Sequence, residues 1–217
     1  MKGLDGKVAL VTGGGKGLGR TLALALAARG VKVVVTGREE RALGETVGEI
    51  AYGGGKARHL VGDVRDPAQL AAAVDRAVEV FGGLDIVVAN AAASGRGALT
   101  DDLASAEAVL ATNAMGVYYT FHAAARLMKG PGRLVVTSSS LATNPAASVA
   151  HQASKAAMVA LVSATARELA PKKITCNAIV PGVEPDESVD LALFLCSSAG
   201  ASITGQIISV GSSATEI

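Results

Sequence analysis

Thr12-Gly13-Gly14-Gly15-Lys16-Gly17-Leu18-Gly19 is the stretch on which the reading of the fold turns. It follows the apolar run Lys7 to Val11, which reads as a strand. It opens the segment Leu18 to Ala28, which reads as a helix. Glycines at such a joint permit a tight turn and let the backbone come close to a ligand. The helix starting there presents free N–H groups and the positive end of its dipole, which suits a pyrophosphate. A plain turn needs no such density of glycine. Composition and position together point to a bound nucleotide.

Outward from this loop the chain alternates. Val31 to Val35 is β-branched and nearly all valine, as expected of a strand buried on both faces. Glu39 to Ile50 reads as a helix, Ala57 to Val61 as a strand, and Pro67 to Phe81 as a helix with proline in its first turn. Leu84 to Ala89 is a strand, and Leu103 to Met128 one long helix capped from Thr100 to Asp102. Arg133 to Thr137, Lys173 to Val180 and Gln206 to Val210 are strands. Val149 to Leu169 and Glu187 to Ser197 are the helices between them. Strands joined by helices require right-handed crossovers and a parallel sheet. The expectation is an α/β, Rossmann-type, doubly wound, seven-stranded parallel sheet, ordered 3-2-1-4-5-6-7, with helices on both faces. No linker or repeat interrupts residues 1–217, so they read as one domain.

Composition narrows the function. The chain has 217 residues, 50% hydrophobic but only 3% aromatic, so Ala, Val, Leu and Ile must build the core. A net charge of +1 without a basic run argues against nucleic acid or a membrane surface as partner. Cys176 and Cys196 form no CxxC or Cys/His cluster, so no metal site is expected, and two isolated thiols suit a reducing compartment. The opening residues contain no signal-peptide core, and no apolar run approaches the roughly 20 residues that span a bilayer. A cytoplasmic protein is expected.

The glycine spacing is TGxxxGxG, not GxGxxG, and other marks follow in order: Asp63-Val64, Asn90-Ala91-Ala92, Asn113 in Thr112-Asn113-Ala114, Ser154-Lys155-Ala156, Pro181-Gly182 and Thr204-Gly205-Gln206. In this order and spacing the chain resembles the short-chain dehydrogenase/reductase family along essentially its whole length. The resemblance implies a nicotinamide dinucleotide held by Gly13, Gly15, Lys16, Gly17, Leu18 and Gly19. It implies Asp63 and Val64 at the adenine, Asn90 and Ala91 beside the cofactor, Lys155 on the nicotinamide ribose, and Pro181 and Gly182 at the nicotinamide. NAD-preferring relatives place an Asp at about Gly37. Here Arg38 follows that glycine and Lys16 lies in the loop, two cations suited to a 2′-phosphate. NADP(H) is therefore expected ahead of NAD(H).

The family's chemistry uses a Ser, a Tyr and a Lys in YxxxK, assisted by an Asn. Lys155, Asn113 and Ser138 match, with Ser139 an open alternative to Ser138. His151 stands four residues before Lys155, where the tyrosine belongs, and thirteen after Ser138. Histidine is a capable acid or base with an ordinary pKa near 6.5. A neighbouring lysine disfavours its cation, leaving it a weak donor and a usable base. The resemblance also implies a substrate lid after Pro181-Gly182. Here Val183 runs directly into Glu184-Pro185-Asp186, so the lid is either absent or not represented.

Two readings follow. One is an NADP(H)-dependent oxidoreductase acting on a small carbonyl or alcohol, with an altered acid/base. The other is a catalytically impaired relative serving as a nucleotide-binding sensor or scaffold subunit. The resemblance further implies a homotetramer or homodimer, paired through the Ala-rich faces of Leu103 to Met128 and Val149 to Leu169. Specificity is expected in the lid and in the small, glycine-rich loop Ser94 to Leu99.

Overall fold

The computed structural model describes residues 2–94, 103–138, 148–181 and 185–211. Seven parallel strands form one sheet in the order β3-β2-β1-β4-β5-β6-β7. They are β1 Val8–Thr12, β2 Lys32–Gly37, β3 Ala57–Val61, β4 Ile86–Ala89, β5 Gly132–Thr137, β6 Ile174–Val180 and β7 Ile207–Ser209. The helices are α1 Gly17–Ala27, α2 Glu40–Tyr52, α3 Pro67–Phe81, α4 Leu103–Leu110, α5 Gly116–Leu127, α6 Val149–Leu169 and α7 Pro185–Cys196. This is the expected architecture and strand order, with element ends displaced by only a residue or two.

Alternation along the strands sends side chains to two cores. Val8 and Leu10 of β1 join Val34, Leu134 and the inner faces of α3, α5 and α6. Ala9 and Val11 join Val33, Val35 and the inner faces of α1, α2 and α7. With both faces covered, β1 and β6 are buried along their whole length. Small residues let the helices sit close. A Cβ on Gly116, the first residue of α5, would meet Val64 Cγ2 at 2.8 Å.

Two helix starts follow from local chemistry. Asp66 caps α3 by accepting from the Ala68 and Gln69 N–H groups, with Pro67 behind it. Ser148 caps α6 by accepting from the His151 N–H at 3.2 Å. The expected long helix is present over Leu103–Leu127, but Ala111–Met115 form a π-helical turn within it. Its expected cap, Thr100 to Asp102, lies outside the described residues.

Residues 181–184 alone separate β6 from α7. Of these, Gly182, Val183 and Glu184 lie outside the described residues, as do Ser139 and positions 95–99 of the specificity loop. Among the described residues, no helix is long and apolar enough to cross a membrane.

Candidate active site

Strands are added to one side from β1 to β3 and to the other from β4 onward, and at this switch between β1 and β4 a crevice opens at the carboxyl ends of those parallel strands. Three polar side chains hold that edge together. Thr12 Oγ1 accepts from the Asn90 and Ala91 N–H groups at 3.0 and 3.1 Å. Asn90 Nδ2 donates to the carbonyls of Thr12 and Gly13, and Asn90 Oδ1 accepts from Thr137 Oγ1 at 3.0 Å. Asn90 thereby ties the ends of β1, β4 and β5 together.

The glycine loop is held from both sides. The N–H groups of Gly13 and Gly14 donate to the Thr36 carbonyl at the end of β2. Thr46 of α2 donates its hydroxyl to the Gly14 carbonyl at 3.1 Å. Gly13 has a positive φ, and a Cβ there would lie 3.0 Å from the Ala91 backbone. A Cβ on Gly19 would collide with the Asn90 side chain and the Gly13 carbonyl. Lys16 precedes α1 without capping it. The first-turn N–H groups, on Gly17, Leu18 and Gly19, have no partner within an α-helix.

Above the loop lies a cleft of about 380 Å³, bounded by Gly13, Gly15, Lys16, Arg38, Asp63 and Ala91, among others. The glycine cradle, the uncapped helix end and the flanking cations fit a dinucleotide. Two ion pairs mark its rim. Lys16 Nζ lies 2.5 Å from Glu39 Oε2. Asp63 takes the Arg65 guanidinium through both carboxylate oxygens, which holds its carboxyl below the usual range, with Arg38 adding to the effect. Arg38 has no ion pair among the described residues. Val64 is buried beside Asp63.

At its inner end the cleft reaches Ala93 and Thr112. There the π turn places Asn113, fully buried, against Ala93. Asn113 Oδ1 accepts from the Ala93 N–H at 2.8 Å, and Nδ2 donates to the Ala93 carbonyl at 2.9 Å and to Ser154 Oγ at 3.0 Å. Ser154 Oγ donates to the His151 carbonyl at 2.6 Å. Lys155, the next residue, is buried and has no hydrogen-bond partner among the described residues; burial pushes its pKa down to about 8. His151 is half-buried. Burial and the Lys155 charge lower its pKa, while the Ala93 backbone opposes the shift.

Asn113 and His151 thus both meet the Ala93 backbone, and the Lys155 charge lies close enough to His151 to act on it. Ser138 lies just beyond β5, half-buried, its N–H donating to Ile179 at 2.7 Å. Pro181 follows β6 on the same sheet edge.

The family model described as short chain dehydrogenase matches residues 7–185. The chain belongs to the short-chain dehydrogenase family. Over 183 residues this short-chain dehydrogenase is 39% identical to the versicolorin reductase stcU of Emericella nidulans, covering 82% of this chain and 69% of that protein. Among solved structures, a short-chain type dehydrogenase/reductase from Mycobacterium marinum superposes with a TM-score of 0.92 at 34% identity, covering 96% of this chain and 94% of that one. A short chain dehydrogenase from Burkholderia cenocepacia J2315 in complex with NADP superposes with a TM-score of 0.90 at 33% identity, covering 95% and 97%.

Four contributors to this candidate site escaped sequence reasoning: Glu39, Thr46, Arg65 and Ser154. Ser154 carried a usable signal, since it lies next to Lys155. The other three make contacts that only the fold reveals, Glu39 to Lys16, Thr46 to Gly14 and Arg65 to Asp63.

Proposed function

We propose that the chain is an NADP(H)-dependent oxidoreductase acting on a small-molecule carbonyl or alcohol, with His151 in the acid/base position. The carrying observation is Ala93, which lines the cleft and whose backbone meets Asn113 and His151, with the buried Lys155 charge close to His151. A buried ammonium is costly unless a polar group satisfies it, and a ribose hydroxyl is such a group.

In this reading the N–H groups of Gly15, Gly17, Leu18 and Gly19 bind the pyrophosphate, and Gly13, whose N–H is held by the Thr36 carbonyl, lets the backbone approach it closely. Arg38 and Lys16 hold the 2′-phosphate. Asp63 and Val64 border the adenine, Asn90 and Ala91 the middle of the molecule, and Pro181 and Gly182 the nicotinamide. When bound, the nicotinamide supplies or accepts hydride. Ser138 orients the substrate oxygen, and His151 takes its proton in the alcohol-to-carbonyl direction. Neutral imidazole acts better as acceptor than donor. The NADP bound by the Burkholderia cenocepacia relative supports this cofactor preference, and NAD(H) is the weaker ligand.

The short 181–184 connection supports a substrate site without a lid on a single-domain chain. Exposed apolar side chains on α4, α5 and α6 support a homodimer or homotetramer. The buried free thiols Cys176 and Cys196 suit the cytoplasm.

A second reading, nucleotide binding without turnover, is favoured by the lowered pKa of His151. Fluorescence titration with NADPH and NADH, followed by a panel of ketones and alcohols, separates the two. Tight NADPH binding with turnover supports the first and binding alone the second. No binding of either nucleotide overturns both.

A further inference from the structure

The outer rim of the cleft carries an ion pair that the family marks do not include. Lys16, the residue before α1, reaches the Glu39 carboxylate at 2.5 Å, and both residues line the cleft with Arg38. Glu39 stands at the N-cap of α2, yet its side chain caps nothing there. It turns across to the glycine loop instead. Lys16 and the adjacent Arg38 both hold Glu39 ionised. The acid therefore sits with the two cations proposed to receive a 2′-phosphate.

We infer that Glu39 is a specificity-determining residue that competes with the ribose 2′-phosphate for Lys16 and so weakens discrimination between phosphorylated and unphosphorylated dinucleotides. The inference rests on the nucleotide reading above. Side-chain exposure of 68% for Lys16 and 66% for Glu39 makes the pair exchangeable, because exposed pairs are screened and hold weakly. A phosphate can therefore take Lys16 from Glu39. The carboxylate then remains beside a dianion and repels it. An unphosphorylated ribose meets neither effect. Specificity through a built-in repulsive group is a general device.

Calorimetric titration with adenosine 2′,5′-bisphosphate and with 5′-AMP reads the effect without turnover. The proteins to compare are wild type, Glu39→Gln, Lys16→Met, the Lys16→Met/Glu39→Gln double variant and Arg38→Ala. Glu39→Gln is expected to tighten the bisphosphate by about two- to tenfold while moving 5′-AMP by less than about twofold. The gain should shrink at high salt and in the Lys16→Met background. A Glu39→Gln protein whose affinity ratio for the two probes matches wild type overturns the inference. Arg38→Ala then tells which idea failed. If it lowers that ratio, the phosphate reading stands and the role of Glu39 alone falls. If it leaves the ratio unchanged as well, the phosphate reading has failed too.

Discussion

Asn113 Nδ2 donates to Ser154 Oγ across 3.0 Å, in a place where both side chains are fully buried. This bond joins the π turn between α4 and α5 to α6, one residue before Lys155. Ser154→Ala removes it and also the hydroxyl donor to the His151 carbonyl. An amide hydrogen left buried without a partner costs about 1–3 kcal/mol. Urea unfolding should show Ser154→Ala destabilised by that amount and Asn113→Ala by more, since Asn113 also serves both backbone groups of Ala93. A Ser154→Ala protein as stable as wild type would show that the bond contributes nothing to the fold.

Lys155 should be a liability to the folded chain. Its pKa falls from an ordinary 10.5 to about 8 through burial. Between those values the unfolded chain holds more protons than the folded one, so stability rises with pH there. Below about pH 8 the full cost applies, about 3 kcal/mol at 1.4 kcal/mol per pKa unit. Lys155→Met should therefore unfold at higher urea than wild type at pH 7. That advantage should fade as pH rises from 8 towards 10.5. An advantage independent of pH would assign it to packing rather than to charge.

The glycine loop, the strand order and both ends of α3 were legible because each has a local cause: positive-φ glycines, valine-rich strands, and Asp66-Pro67 at a helix start. The π turn at Ala111–Met115 has no such cause. It arises where Asn113 is drawn to the Ala93 backbone, a contact made across 20 sequence positions. Motif spacing singles out Asn113, His151 and Lys155 as site candidates and gives no sign of the side chains that hold them. Ser154 and Thr46 act through single hydroxyls whose partners lie 41 and 32 positions away. Lys16 and Arg38, the two cations suited to a 2′-phosphate, both line the cleft. The pairing of Lys16 with Glu39 was not legible, because it needs two long exposed side chains from different elements to reach each other.

Cofactor preference should reverse with one carboxylate at the end of β2. A Cβ on Gly37 meets Leu43 Cδ2 at 3.5 Å, an ordinary contact, so Gly37→Asp fits the fold. The new acid can accept from ribose hydroxyls and repels a 2′-phosphate. Wild type should bind NADPH more tightly than NADH, and both Gly37→Asp and Arg38→Asp should prefer NADH. Fluorescence titration that finds the wild type indifferent to the phosphate overturns this expectation.

Association should run through α4, α5 and α6. Leu103 is 74% exposed, Tyr118 49% and Val149 54%, and Leu110 of α4 and Met115 of the π turn are exposed as well. Exposed apolar side chains on these helices suit an interface, whose commonest form is closed two-fold symmetry. Light scattering should give a multiple of the 21.6 kDa chain mass. Tyr118→Glu should shift it towards the monomer. A wild type that is monomeric at micromolar concentration removes the proposal.

The acid/base position decides whether this site reduces carbonyls. Burial and Lys155 both hold the His151 pKa below 6.5, so at neutral pH the imidazole is neutral. Neutral imidazole donates poorly to a developing alkoxide but accepts a proton well. Wild-type ketone reduction should therefore be slow and should decline as pH rises through that lowered pKa, while alcohol oxidation should gain. A phenol at the same place behaves oppositely. Its pKa begins near 10, and the Lys155 cation lowers it towards neutrality, where it can still donate. It also reaches further from the helix than an imidazole. His151→Tyr should raise ketone reduction well above wild type and carry it into the alkaline range. The gain requires a substrate held in line for hydride transfer, so a site without a lid would show a small one. NADPH consumption by both proteins over a ketone panel from pH 5 to 9 measures it. A wild type already fast, and slowed by His151→Tyr, would make histidine the effective acid here.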